Sequence, residues 1–224
     1  MKNNYYSQKL NSQKLFNVYE TKIPRVKQYL DAEISFVKDN LTGGERILEL
    51  GAGYGRIVKK LSGKCKSIVG IDISLENVIL SREYLKDIHN AKIITMDVNN
   101  LTFQEKFDVI LCLQNGLSSM KITSLDLIKR ILKMTVSGGK VYFSTYSEKF
   151  WEYRLMWFKE QAKKGLLGEI DLDKTKDGII VCKDGFKAIT CTPKDLKTIG
   201  DLSGYEYQIQ EVDESSVFLI IHKK

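Results

Sequence analysis

Three acids and a run of alternating glycines are the residues here whose types and spacing could do chemistry. In Glu49-Leu50-Gly51-Ala52-Gly53-Tyr54-Gly55, an apolar stretch that begins at Ile47 runs into a turn with almost no side chains. Arg56-Ile57-Val58-Lys59-Lys60-Leu61 then takes up a helical spacing. A buried strand, a glycine turn and a helix start bring backbone N–H groups and the positive end of a helix to one point. A small anionic or zwitterionic ligand is expected there. Asp72 and Asp97 each close another apolar run, and an acid after a second strand is the group that accepts a ribose diol in dinucleotide sites.

Composition narrows the setting. An apolar share of 43% and a charged share of 28% in 224 residues are those of a soluble globular chain with a sizeable core. The first residues have no apolar stretch behind them, so no signal peptide is expected. The longest apolar runs, such as 217–221, are strand-length and cannot cross a bilayer. Cys65, Cys112, Cys182 and Cys191 show no CxxC pairing, which argues against a metal site or a disulfide framework and for a reducing cytoplasm. The net charge of +7 is mostly scattered lysine, without the basic stripe that a nucleic-acid reader needs.

Stepping along the chain gives the elements that must hold these residues. Helical spacing is expected over 7–19 and over 24–40, where Pro24 suits a first turn. Strands are expected at 47–50, 67–72, 91–97, 107–113 and 140–145, the last delivered by Gly138-Gly139. Helices fall between them: 55–61; one capped by Ser74 and running to His89; one capped by Thr123 or Ser124 and running to Val136. Gln114-Asn115-Gly116 turns the chain after the fourth strand. Strands alternating with helices at this spacing imply a parallel sheet covered on both faces. The last third differs. It holds an aromatic helix over 150–164 and a hairpin of 179–182 and 186–191 around Lys183-Asp184-Gly185. A helix to about Gly200 follows, with Thr192 as cap and Pro193 in its first position, and then a strand pair at 205–212 and 217–222.

These residues, in this order and spacing, resemble the class I S-adenosylmethionine-dependent methyltransferases. The motif positions are 49–55, Asp72, Asp97, Phe107-Asp108-Val109-Ile110, Gly138-Gly139 and Thr192-Pro193-x-Asp195-Leu196, with the strongest likeness over 46–147. The resemblance implies an α/β, doubly wound, seven-stranded and mostly parallel sheet with an antiparallel last strand. It further implies one domain over 1–224: an N-terminal helical cap (1–40), a cofactor-binding core (41–147), a substrate-side helix and hairpin insertion (148–192), and a closing helix and strand pair (193–224).

The resemblance also implies roles. Gly51, Ala52 and Gly53 would pass under the amino-acid end and ribose of S-adenosyl-L-methionine, with Glu49 facing its ammonium. Asp72 and Ile73 would meet the ribose, Asp97 and Val98 the adenine, and Leu113 and Asn115 the region of the methyl group. The product would be S-adenosyl-L-homocysteine. Arg56 suits the ligand carboxylate or plain exposure. Asp108 reads as a structural residue. Tyr5, Tyr6, Tyr146 and Trp151 are the substrate-side candidates, with Tyr153 and Trp157 further aromatics that would line a pocket over the sulfonium.

No catalytic residue is assigned, because methyl transfer can run on positioning alone, and His89 and His222 stand where neither suits a base. The acceptor is expected to be a small-molecule amine or hydroxyl, with no membrane, nucleic acid disfavoured and oligomeric state open. An RNA- or protein-directed enzyme and a non-catalytic cofactor-binding module are the alternatives. After the fourth strand Gln114-Asn115-Gly116-Leu117 stands where base-amino enzymes carry Asn/Asp-Pro-Pro-aromatic. An NAD enzyme would want glycine at 56, where Arg56 stands.

Overall fold

The computed structural model describes residues 5, 9–120, 122 and 125–224. Tyr6 and the capping candidates Thr123 and Ser124 lie outside the described residues. The strands are β1 (Arg46–Leu50), β2 (Ser67–Asp72), β3 (Ala91–Thr95), β4 (Phe107–Cys112), β5 (Thr135–Tyr146), β6 (Ile179–Val181), β7 (Lys187–Ile189), β8 (Glu206–Val212) and β9 (Ser216–His222). Seven of them form one sheet in the order β3-β2-β1-β4-β5-β9-β8. The first five are parallel, while β9 runs antiparallel between β5 and β8. β6 and β7 make a separate hairpin. Strand order reverses between β1 and β4, so a crevice opens at their carboxyl ends.

Eight helices are named here: α1 (Ser12–Tyr19), α2 (Pro24–Asp39), α3 (Arg56–Leu61), α4 (Leu75–Tyr84), α5 (Gly116–Ser119), α6 (Leu125–Met134), α7 (Trp151–Lys163) and α8 (Pro193–Ser203). They cover both faces because the central strands are apolar on both. Leu48, Leu50, Ile110 and Cys112 pack with Ile128 and Ile131 of α6 and Leu196 of α8. The alternate residues Ile47, Val109 and Leu111 pack with Ile34 of α2 and with Ile57 and Leu61 of α3. Glu49 follows the same alternation as Ile47, and that alternation is what aims its carboxylate toward the α2–α3 side. A third cluster, with Tyr29, Tyr146, Phe150, Trp157 and Phe186, joins α2, α7 and the hairpin.

Some boundaries differ from the sequence expectation, each for a local reason. α1 begins at Ser12, whose φ is +49°; residues 7 and 8 of the expected helix lie outside the described residues. α4 ends at Tyr84 instead of His89, since Leu85 turns inward beside Gly55 while Asn90 bonds to the carbonyls of Ser62 and Cys65. α6 stops at Met134, and β5 starts five residues before Lys140. Gly138-Gly139 is a bulge inside that strand, not a turn before it: the register shifts opposite Phe107 and Val109. A Cβ at Gly139 would stand 2.8 Å from the Asp108 carbonyl oxygen. α8 passes Gly200 because that glycine seats the Tyr207 ring, and the helix ends at Ser203. Its expected cap is present: Thr192 and Asp195 form a reciprocal capping box with Pro193 in the first turn. Asp108 acts structurally, accepting from the Arg46 backbone N–H at 2.8 Å and from its Nε at 3.0 Å.

Candidate active site

A cavity of about 760 Å³ lies at the carboxyl ends of β1, β2 and β4, roofed by α1, α7 and the hairpin. That volume suits a nucleoside-sized ligand plus a small partner. The glycine turn forms its floor. Gly51 and Gly53 have φ of +71° and +57°, a region closed to most side chains. At Gly53 a Cβ would also stand 2.9 Å from Leu15 Cδ2, so α1 rests directly on the turn. The Ala52 N–H donates to the Ile71 carbonyl at 2.9 Å and fixes the turn to β2.

Asp72 holds both sides of this floor. Its Oδ2 accepts from the Gly53 N–H at 2.8 Å, and its Oδ1 accepts from the Ser74 N–H at 2.8 Å and the Asn77 amide at 3.1 Å. Burial pushes its carboxyl up, while these donors oppose the shift. Asn77 also accepts from the Ser12 N–H at 2.6 Å, which ties the foot of α1 to the same network. Asp97 caps the next turn: Oδ1 accepts from the Asn99 N–H at 2.8 Å and the Asn99 amide at 3.0 Å. Val98 is buried beside it, and Ile73 is partly exposed at the cavity wall.

Two ionisable groups at the glycine turn keep buried atoms without a hydrogen-bond partner. Glu49 is 3% exposed and its Oε2 has no hydrogen-bond partner. Burial raises its pKa to about 8, against the nearby Arg56 charge and a bond from the Val58 backbone in the first turn of α3. Arg56 Nε and Nη2 are buried without partners, and its guanidinium lies 4.5 Å from the centre of the Tyr19 ring. Leaving such groups unpaired costs about 1–3 kcal/mol or more each. A ligand with an ammonium and a carboxylate would satisfy both.

The turn after β4 is the other irregular part. Gln114 and Asn115 are consecutive non-glycine residues at positive φ, +54° and +60°. The Gln114 N–H donates to Ser144 Oγ at 2.8 Å, and that hydroxyl donates to Glu33 Oε1 of α2 at 2.6 Å. Asn115 is engaged throughout: its amide donates to the Ile189 carbonyl at 2.7 Å, and its Oδ1 accepts from Thr145 Oγ1 at 3.0 Å and the Cys191 N–H at 3.1 Å. It clamps the hairpin to the sheet through Oδ1 and one amide N–H. Leu113 is buried in the cavity wall. Such backbone conformations cost of order 1–3 kcal/mol and cluster at ligand sites.

Of the substrate-side aromatics, Tyr5, Tyr146 and Trp157 reach the cavity. Tyr5 spends its hydroxyl on Asp184 at 2.6 Å, and Trp157 donates from Nε1 to the Val18 carbonyl at 3.0 Å. Trp151 and Tyr153 do not reach it: Trp151 packs partly buried on the roof cluster and Tyr153 is 40% exposed. His89 and His222 stand outside the cavity wall. Sequence reasoning missed Glu33, Gln114 and Gln161. Glu33 and Gln161 sit among apolar helical neighbours and show as buried polar residues only once the helices are docked.

The sheet order, the glycine turn at the switch point, the acid ending β2 and the acid two residues past β3, which stops at Thr95 and not at Asp97, define the class I methyltransferase fold. Residues 47–139 match the model of a family described as a methyltransferase domain. The chain is similar to malonyl-[acyl-carrier protein] O-methyltransferase of Marinomonas sp. (27% identity over 112 residues, 48% of this chain and 40% of that protein). It is also similar to phosphoethanolamine N-methyltransferase 3 of Arabidopsis thaliana (33% over 106 residues, 45% of this chain and 21% of that protein). The chain thus spans about half the length, or less, of the curated relatives it matches. A solved complex of DhpI with SAM and HEP shares the fold, with a TM-score of 0.65 at 15% identity over 96% of this chain and 93% of that one. The fold is that of the class I S-adenosylmethionine-dependent methyltransferases, and the methyltransferase-domain match lies over residues 47–139 of it.

Proposed function

We propose that this chain transfers a methyl group from S-adenosylmethionine to a small-molecule amine or hydroxyl by in-line displacement. The observation that carries the reading is the pair of orphaned ionisable groups, Glu49 Oε2 and the Arg56 guanidinium, beside the glycine turn. The amino-acid end of the donor presents the complementary ammonium and carboxylate. Asp72, although committed to three protein donors, keeps carboxylate lone pairs for a ribose hydroxyl, and Asp97 Oδ2 takes none of the bonds that Oδ1 makes. When bound, the donor supplies a methyl group on a sulfonium whose leaving sulfur needs no protonation. The work left to this chain is to align and desolvate the acceptor, which its enclosed aromatic roof suits. The four buried, unbridged cysteines support a reducing compartment such as the cytoplasm.

Calorimetry is expected to show S-adenosylhomocysteine binding with no comparable binding of NAD. Equal affinity for both, or none for either, would sink the reading. Asp72→Ala is expected to weaken S-adenosylhomocysteine by about tenfold or more, the scale of losing a charge-assisted hydrogen bond. Unchanged affinity in the folded variant would take Asp72 out of the site.

A further inference from the structure

Helix α7 buries two polar residues beside two aromatic ones. Its buried face is Arg154, Trp157, Phe158 and Gln161, the i, i+3, i+4, i+7 stripe, while Tyr153 and Met156 are 40% and 49% exposed. Gln161 is 2% exposed, lines the cavity, and leaves its Nε2 without a partner. Gln114, across the cavity on the turn after β4, also has an unpartnered Nε2. Two neutral carboxamides therefore face a chamber walled by Tyr146, Trp157, Phe158 and Phe186.

The charges around this chamber select its guest. Among the described residues, the carboxylates in the cavity wall are Glu49, Asp72 and Asp97, all at the glycine-turn end. The acceptor half has Lys187 at its rim and Arg154 behind its wall. Arg154 is held by the Gly178 carbonyl at 2.9 Å and by Thr190 Oγ1, with its guanidinium 4.4 Å from the centre of the Tyr146 ring and 5.4 Å from that of Phe158. Arg154 already lies against Tyr146 and Phe158, two of the rings that would otherwise attract an ammonium. A cationic guest would meet these charges and the sulfonium, with no counter-ion in its half of the wall.

Resting on the methyl-transfer reading above, we propose that the acceptor is a planar aromatic hydroxyl compound, neutral or anionic, and that Gln161 is the residue that binds its polar edge. Flat walls stack the ring, the carboxamides hydrogen-bond its substituents, and Lys187 meets an acidic group at the mouth. The hydroxyl oxygen forms its bond to the methyl carbon as the carbon–sulfur bond breaks. The bonding pair stays on sulfur, giving the neutral thioether, and the hydroxyl proton passes to water at the mouth.

The test uses the full chain with 3,4-dihydroxybenzoate, catechol, ethanolamine and spermidine as probes. Tryptophan fluorescence of the S-adenosylhomocysteine-loaded protein reads binding, and transfer of labelled methyl reads turnover. Both aromatic probes are expected to bind at or below about 1 mM and to take label, while the two aliphatic amines do neither. Gln161→Leu is expected to raise the dissociation constant and KM for 3,4-dihydroxybenzoate about tenfold, with S-adenosylhomocysteine affinity held within about twofold. Gln161→Glu, of the same size, is expected to hurt the benzoate more than catechol. The proposal is overturned if the amines bind or are labelled in preference, if neither aromatic binds a protein that does bind S-adenosylhomocysteine, or if both variants leave the aromatic affinities unchanged. Loss of S-adenosylhomocysteine binding in the parent protein instead overturns the methyl-transfer reading, and this one with it.

Discussion

Substituting Arg56 by Met is expected to weaken S-adenosylhomocysteine binding by about 30-fold or more, the scale of about 2–5 kcal/mol seen when one member of a buried charged pair is removed. The size follows from burial. An exposed ion pair is worth about 1 kcal/mol or less, but the Arg56 guanidinium has two buried nitrogens without a protein partner. The matching effect at Glu49 shows in protons. Without ligand its pKa stands at about 8, so near neutral pH it is largely protonated. A ligand ammonium favours the carboxylate, and binding therefore expels a proton. Titrations at pH 7 in two buffers of different ionisation enthalpy are expected to report about one proton released per ligand bound. Affinity should rise with pH toward 8 and level off above it. Glu49→Gln should remove that dependence, and identical enthalpies in both buffers with the parent protein would refute the assignment.

Glu33 gives the second large effect, on stability. It is fully buried in α2, accepts from Ser144, and has its pKa raised to about 7 mainly by burial. Because the folded state holds this proton more tightly than the unfolded chain, stability is greatest below about pH 4.5. It falls as pH rises through 7, with no further loss above. Glu33→Gln keeps an acceptor for Ser144 but cannot ionise. It is expected to stabilise the protein at pH 8 by on the order of 1–3 kcal/mol, the upper figure being the shift from 4.5 to about 7 expressed as free energy. Glu33→Ala should instead cost about 2–4 kcal/mol at pH 5, from the cavity and the orphaned hydroxyl. Urea midpoints at pH 5 and pH 8 distinguish the two. Equal shifts of both variants at both pH values would show that the carboxyl proton has no part in it.

The core of this fold was legible because its signals are local. A strand with an apolar centre such as 67–72, a glycine turn at 51–55 and the Thr192–Asp195 capping box each declare themselves within a few residues. The positions of Asp72 and Asp97 followed, since one ends β2 and the other stands two residues past β3. Gly138-Gly139 misled because a bulge and a turn use the same dipeptide, and only the pairing of β4 with β5 decides between them. The acceptor side depended on long-range docking. Trp151 and Trp157 are equally aromatic in sequence, yet helix rotation sends only Trp157 to the cavity. Gln161 looks like a solvated residue until α7 is seen packed against α1 and the hairpin. Asn115 was placed correctly at the end of β4, but its side-chain commitments to Thr145, Ile189 and Cys191 lie 30 or more residues away.

Leu15 seated on Gly53, and Ser12 bonded to Asn77, give the first helix a thermodynamic role beyond covering a surface. Leu10, Leu15, Val18 and Tyr19 form one wall of the ligand cavity, so a molecule inside it and this segment are each part of the other's environment. Their free energies are then linked, and linkage runs both ways. Whatever the bound molecule contributes to holding the segment down, the segment returns as affinity.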